Sequence, residues 1–376
     1  MFTLGIKSVV KTAGVMAVSM SLAHAAVDFG KVGDPVNLVI GYQPYYTESW
    51  SGVVNNGKQF WKKYLPAGST VDFQIGLQGS VIVNAMTAEK QHIGYMGDMP
   101  AIASTFKYLK KRGGTDIRMV AVLGTSKQQC NVFLVRNDAP EFKSGMDAVK
   151  WMDGKMTSAP HGACTDRFAR LAFQKAGIEP KKYLNQNIEV ITTNFRAGKL
   201  DAAAIWEPTA SKIAMAGIAR RAASGEDFDA LDGGFMVMLN DLIQQRPDVV
   251  KGWLNAELDA QLFMLDPANA KEVAKMAAEQ TENIDPKVLW ASLFVAPPKN
   301  QGGGDVKLQL DFIVTPRVQG LLDNATGFLY SLAKKPAAAP TIRPEGVLDD
   351  VARQLLGERG LTSPLGVITA QPLSSY

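Results

Sequence analysis

The stretch from Gln91 to Ala101, QHIGYMGDMPA, restricts this chain more than any other. His92–Met96 is a short apolar run with β character. Gly97 breaks it, Asp98 can cap the next element, and Pro100 suits the first turn of a helix. The pattern predicts a buried strand that stops, turns tightly and feeds a helix whose free backbone N–H groups point back toward the turn. Such a helix end attracts a carboxylate, sulfonate or phosphate oxygen. Any α/β protein has junctions of this kind, so one alone serves as well for scaffold as for site. Its recurrence along the chain is the informative point.

Val36–Gly41 reads as the first strand, and Gln43-Pro44-Tyr45-Tyr46 turns the chain. Thr47 or Ser49 caps a helix that the apolar spacing carries to about Tyr64. Val71–Leu77 is a second strand, and Gln78-Gly79-Ser80 starts a helix with Val81, Ile82, Ala85 and Met86 on one face. The Gln91–Ala101 junction comes next, with its helix running through Ala103, Phe106 and Leu109. A β-α-β-α-β-α order with short turns predicts a parallel sheet covered by helices on both faces. Right-handed crossovers place every βα turn at one sheet edge, and open α/β sheets bind ligands there.

Further on, strands are expected at Arg118–Leu123, Asn131–Arg136, Met156–Ala159, Ile188–Ile191 and up to Ile205. Gly124–Cys130 reads as a first crossing between two units and Gly233–Leu239 as the return strand. Pro160-His161-Gly162-Ala163-Cys164-Thr165 and Trp206-Glu207-Pro208 repeat the strand-to-helix logic in the second unit. Helices are expected near Met146–Trp151, from Pro247, at Lys271–Gln280, Pro286–Leu293 and Val318–Leu332, and weakly at Val347–Leu356. Pro297, Pro298 and Gly302–Gly304 mark a loop, and Lys334–Pro340 reads as an extended linker.

Met1–Ala25 has the form of a secretory signal: Lys7 and Lys11, an apolar core at Thr12–Leu22, and Ala23-His24-Ala25 as a cleavage site. Its loss takes the formal charge from +4 to +2 (4 minus 2), too little to argue for nucleic acid. An exported, periplasmic chain is expected. The two cysteines, Cys130 and Cys164, then have either of two readings: a disulfide, or two small buried hydrophobes.

Taken together, LVIGYQP, GLQGSVIVNAMTAEKQHIGYMGDMPAIAS, NVFLVRND, DGKMTSAPHGACTDRFA, FRAGKLDAAAIWEPTAS and RPDVVKGWLNAELDA resemble the periplasmic substrate-binding proteins of ABC importers for nitrate, sulfonates and taurine. The resemblance runs from about Val36 to about Ala260. It implies a type 2 periplasmic binding protein: two parallel-rich α/β lobes joined by two crossing strands, closing by hinge motion on a ligand. Lobe one is expected at 26–126 and 236–376, with a helical extension, and lobe two at 127–235. The matching ligand-facing positions in lobe one are Gln43, Pro44, Tyr45 and the adjacent Tyr46, Gly79, Ser80, Asp98 and Met99. In lobe two they are His161, Gly162, Ala163, Thr165, Trp206 and Glu207, with Arg167 one turn further on. The implied partners are a small organic anion or zwitterion and an inner-membrane permease; a monomer without cofactor or bound metal is expected.

Asp98 and Glu207 depart from a simple anion site. Either they cap their own helices, or they face a ligand that also carries a positive or hydrogen-donating group. An aromatic or pyrimidine-type ligand stacked on Tyr45, Tyr46 or Trp206 is the alternative. Arg167 reads either as the bidentate partner of a ligand's carboxylate or as a solvated helix residue. An exported enzyme using His161 and Cys164 is a third reading, kept open by the related pyrimidine-precursor proteins of thiamin metabolism. No HExxH or CxxC pattern supports it, and a metal held by His161, Cys164, Asp98 and Glu207 would match no recognisable spacing. His92 reads as a core histidine.

Overall fold

The computed structural model describes residues 27–106, 116–333 and 341–376. The secretory signal and the Lys334–Pro340 linker lie outside the described residues, as does the continuation of the third helix to Leu109.

The first three strands form as the alternation of apolar runs and turns requires. β1 (Asn37–Tyr42) pairs in parallel with β2 (Thr70–Ile75) on one side and β3 (Ile93–Gly97) on the other. Every residue of β3 is buried, as expected of a parallel strand with helices on both faces. The first sheet has seven strands in the order β12-β11-β4-β10-β3-β1-β2. Here β4 is Ile117–Ser126, β10 is Asp232–Leu239, β11 is Val306–Leu310 and β12 is Gly366–Thr369. β10 runs antiparallel to both β3 and β4.

The second sheet holds the chain between: β5 (Val132–Val135), β6 (Met156–Ala159), β7 (Lys182–Asn185), β8 (Ala202–Ile205) and β9 (Arg220–Ser224). Its order is β7-β6-β8-β5-β9. β6 pairs in parallel with β7 and β8, while β5 is antiparallel to β8 and β9. Both sheets thus place one antiparallel strand beside three parallel ones, the plan of a two-lobed α/β protein. In each sheet that strand borders a crossing: β5 after residues 127–131, β10 after residues 225–231.

Several elements differ from the sequence reading. The helix expected to reach Tyr64 stops at Lys58, because Gln59 adopts φ +54 and a short 3-10 turn succeeds it. The stretch Ile188–Ile191 is not a strand. Asn187 accepts from the Val190 backbone N–H at 2.9 Å and so caps a helix, Ile188–Arg196. The strand there is β7, one turn earlier. Gly124 lies inside β4 rather than in a crossing, and β10 belongs wholly to the first sheet. β11 and β12 carry no clear sequence signal; they pair antiparallel at the sheet's edge, where Leu308, Leu310 and Ile368 pack into the core.

Candidate functional site

A cavity of about 250 Å³ opens between the two sheets at the carboxyl ends of their parallel strands. Its walls come from both sides. Lobe one supplies Gln43 and Tyr46 after β1, Gly79 and Ser80 at the start of helix Gly79–Thr87, and Gly97 and Met99 after β3. The second unit supplies His161, Gly162, Ala163 and Cys164 after β6, and Trp206 after β8. Nine of the expected ligand-facing positions therefore meet here: Gln43, Tyr46, Gly79, Ser80, Met99, His161, Gly162, Ala163 and Trp206.

The backbone explains why small residues sit at these turns. The helix Gly79–Thr87 and the helix Cys164–Ala176 have Gln78 and Ala163 as N-caps, and neither side chain caps its helix. Their first N–H groups, and the positive ends of two helix dipoles, remain for a solute. A Cβ on Gly79 would stand 2.4 Å from Pro100, so this close approach of two helices requires glycine. Gly162 has φ +79 and nothing within 4 Å of where a Cβ would be; the turn needs its left-handed conformation.

No lysine or arginine lines the cavity among the described residues. The one titratable imidazole, His161, is driven toward the neutral form by burial; its ring stacks on Tyr183 at 4.6 Å, and its Nε2 has no partner. The rest of the wall is mostly apolar: Val83, Met99, Pro100, Ala103, Trp206 and Leu329. Val83, Asn84 and Ala103 are not among the expected site residues, Ala103 being expected only as part of a helix, yet each stands one helical turn beyond an expected one (79, 80 and 99), so the i, i+4 relation is the signal that finds them. Leu329 had no such signal. It belongs to helix Pro316–Leu332, which packs against the helix Asp98–Ser104 only in the folded chain.

The remaining expected site residues lie outside this lining. Asp98 and Arg167 find each other: the guanidinium pairs with the carboxylate, and it also donates to Asn324 Oδ1 at 3.1 Å and to the Leu231 carbonyl at 3.0 Å. Arg167 comes from the second sheet's helix, Asp98 and Asn324 from the first lobe, so this buried pair fastens the two lobes together. Asp98 also accepts from the Met99 N–H at 2.6 Å. Burial raises its pKa against the opposing pull of Arg167. Glu207 accepts from the Ser211 N–H and hydroxyl, each at 2.9 Å, and pairs with Arg221, whose pKa burial pulls down to about 10. Both acids are therefore engaged by protein groups: Glu207 serves the start of its own helix, whereas Asp98, expected as a cap, is the first residue of a helix whose N-cap is Gly97 and is held by Arg167 instead. Tyr45 turns its hydroxyl outward to accept from the Glu282 N–H at 2.8 Å, and its carbonyl accepts from Trp206 Nε1 at 3.1 Å. Pro44 accepts from Trp50 Nε1 at 2.8 Å, and Thr165 is buried with its hydroxyl unpartnered.

Beneath the cavity lies an acid cluster that the sequence reading did not see. Glu48 and Asp232 are buried and adjoin one another, and burial drives both well above the usual carboxylate range. Glu48 Oε1 and Asp232 Oδ1 have no partner in the described structure, an arrangement a shared proton satisfies. The Tyr46 hydroxyl donates to Glu48. Cys130 and Cys164 form a disulfide, with Cα atoms 6.1 Å apart. Cys164 sulfur is thus not a free partner for His161. Among the described residues the one grouping with metal-ligand proximity is Cys130, Cys164 and Asp232, and its sulfurs are tied to each other. His92 Nδ1 accepts from the Val39 N–H at 3.2 Å within the core.

Two α/β lobes closed over a shared cavity at their strand ends form the architecture of the two-lobed periplasmic binding proteins. The chain belongs to the NMT1-like family, whose profile matches residues 32–278. The alkanesulfonate-binding protein SsuA from Xanthomonas axonopodis pv. citri, bound to MOPS, superposes with a TM-score of 0.62 at 19% identity, over 84% of this chain and 99% of that one. The periplasmic nitrate-binding protein NrtA from Synechocystis PCC 6803 gives 0.67 at 14% identity, over 86% and 89%. A DszB mutant in complex with biphenyl-2-sulfinic acid gives 0.61 at 15% identity, over 86% and 99%. At these identities the likeness is one of fold. No curated protein matches. No helix among the described residues is long and apolar enough to cross a membrane.

Proposed function

We propose that the chain is the extracytoplasmic solute-binding component of an ABC uptake system, and that its solute is a small organic anion with an apolar body. The observation that carries this is the pair of helix starts without side-chain caps, Gly79–Thr87 and Cys164–Ala176, facing one apolar cavity from opposite lobes. Backbone donors and helix dipoles hold the anionic head, and Val83, Met99, Trp206 and Leu329 cover the body. Without a cation in the wall, charge complementarity rests on these donors, and the acids beneath oppose it little: Asp98 is matched by Arg167, and burial favours the neutral forms of Glu48 and Asp232. Nitrate would leave the apolar wall uncovered, and taurine would need a buried acceptor for its ammonium group. Residues 26–126 and the chain from Asp232 on act as lobe one, since β10 lies wholly in the first sheet and moves the expected boundary back from 236, and residues 127–231 act as lobe two; the signal at 1–25 delivers the chain to the periplasm, where it hands solute to a membrane permease.

An aromatic body is a second reading, favoured by the Trp206 and Tyr46 rings in the wall. Thermal unfolding in the presence of alkanesulfonates, arylsulfonates, taurine and nitrate tests these readings. A ligand at a hundred times its dissociation constant adds about 2.7 kcal/mol. Stabilisation by alkyl- or arylsulfonates, and not by taurine or nitrate, is expected. Stabilisation by taurine or nitrate alone overturns the proposed ligand class; no stabilisation by any organic anion overturns the binding role.

A further inference from the structure

The Cys130–Cys164 disulfide occupies an unusual place. Cys164 lines the solute cavity and is the first residue of the thirteen-residue helix Cys164–Ala176. Cys130 is fully buried in the crossing between the lobes. A carboxylate oxygen of Asp232 lies within 4.8 Å of both sulfurs. Asp232 Oδ2 accepts from the Cys130 N–H at 2.9 Å, its Oδ1 is unpartnered, and Glu48 stands behind it. Burial raises the pKa of both acids and so favours their protonated forms. Cys164 is thus a buried residue in the cavity wall, and both sulfurs have beside them an acid that binding of an anion does not employ.

From this juxtaposition we infer that the disulfide is a thiol-exchange site, at which a small thiol entering the solute cavity is captured on Cys164 while the Asp232–Glu48 pair protonates Cys130. The incoming thiolate attacks Cys164 Sγ. The Cys130–Cys164 bond breaks as the new sulfur–sulfur bond forms, and the electron pair departs on Cys130 Sγ. That thiolate takes the proton of the acid pair. One disulfide is made and one lost, so there is no net oxidation or reduction at this step. A second thiol of the same class attacking the mixed disulfide would complete reduction, with that reductant oxidised. The geometry directs attack to Cys164, which belongs to the cavity wall and keeps 6% exposure, whereas Cys130 has none and does not line the cavity. The donor matters because a leaving thiolate inside an apolar site has no water to stabilise it. The inference stands apart from the transport reading; it needs the cavity but not an anionic solute.

The oxidised full chain, incubated with 2-mercaptoethanol or 2-mercaptoethanesulfonate and quenched in acid, tests it by intact mass and peptide mapping. Expected is one adduct, on Cys164, with a free thiol at Cys130, formed in fully folded protein. Asp232→Asn should slow its formation by at least about ten-fold, within the range for a positioned general acid. Should Asp232→Asn fail to fold, Glu48→Gln gives the same comparison. An adduct on Cys130, formation that tracks global unfolding in a denaturant series, or a rate unchanged in the acid variant overturns the proposal. Failure of every sulfonate to stabilise the protein while the adduct still forms would overturn the transport reading and leave this one standing.

Discussion

At the scale of single residues, what distinguishes this protein is how its buried charges are accommodated. Glu257 lies fully inside the first lobe, on the helix Pro247–Leu265, and burial pushes its pKa up to about 7 against the support of Ser51, Gln261 and Tyr95. A carboxyl whose folded pKa exceeds its unfolded one stabilises the fold only while protonated. The fold should therefore lose stability as pH rises from about 4.5 to about 7, and no more above that, by about 3 kcal/mol from this group. Glu257→Gln should remove that slope; urea titrations at pH 5 and pH 8 would show it as a smaller difference between the two midpoints. The Asp98–Arg167 pair obeys another rule. Arg167→Met leaves Asp98 buried without its counter-charge and should cost about 3–5 kcal/mol, whereas adding Asp98→Asn should recover most of the loss in chemical denaturation.

At the scale of elements, local signals served well where they agreed with burial. β6 lies at Met156–Ala159 as the flanking Asp153-Gly154 turn and Pro160 imply. Ile188–Ile191 misled because β-branched residues favour strands, while the Asn187 cap and packing of Ile191 and Phe195 against β5 and β8 residues decided for a helix. β11 was unreadable: Lys307 interrupts its apolar run, and only the fold buries that lysine, with its pKa pulled well below the usual value. β12 pairs with β11 and closes that edge of the sheet. Removing residues 361–376 should uncover the β11 edge, lower the melting temperature, and shift the protein toward larger species in size-exclusion chromatography.

For the whole molecule, ties that hold the lobes together include the Asp98–Arg167 pair, Trp206 on the Tyr45 carbonyl, and Thr47 Oγ1 donating to Gln129 Oε1 at 2.6 Å. The disulfide joins the crossing to the second lobe across 34 residues, and its loss in a Cys130→Ala, Cys164→Ala double variant should cost about 3–4 kcal/mol by calorimetry. The cavity lies at the seam of these ties, so a ligand touching both sides would add to them.

Turn chemistry and apolar period, both local properties, determined from the sequence alone that strands feed helices at Gln43, Gly79, Gly97 and Pro160, and that these ends share one side of each sheet. Which of those residues face the cavity was settled only in three dimensions. Asp98, Arg167 and Glu207 are drawn into ion pairs because a buried charge must find its opposite, and those opposites lie 69, 69 and 14 residues away in the chain. Leu329 reaches the wall because a distant helix packs there. Such choices depend on desolvation and on neighbours far apart in sequence, which no local pattern records.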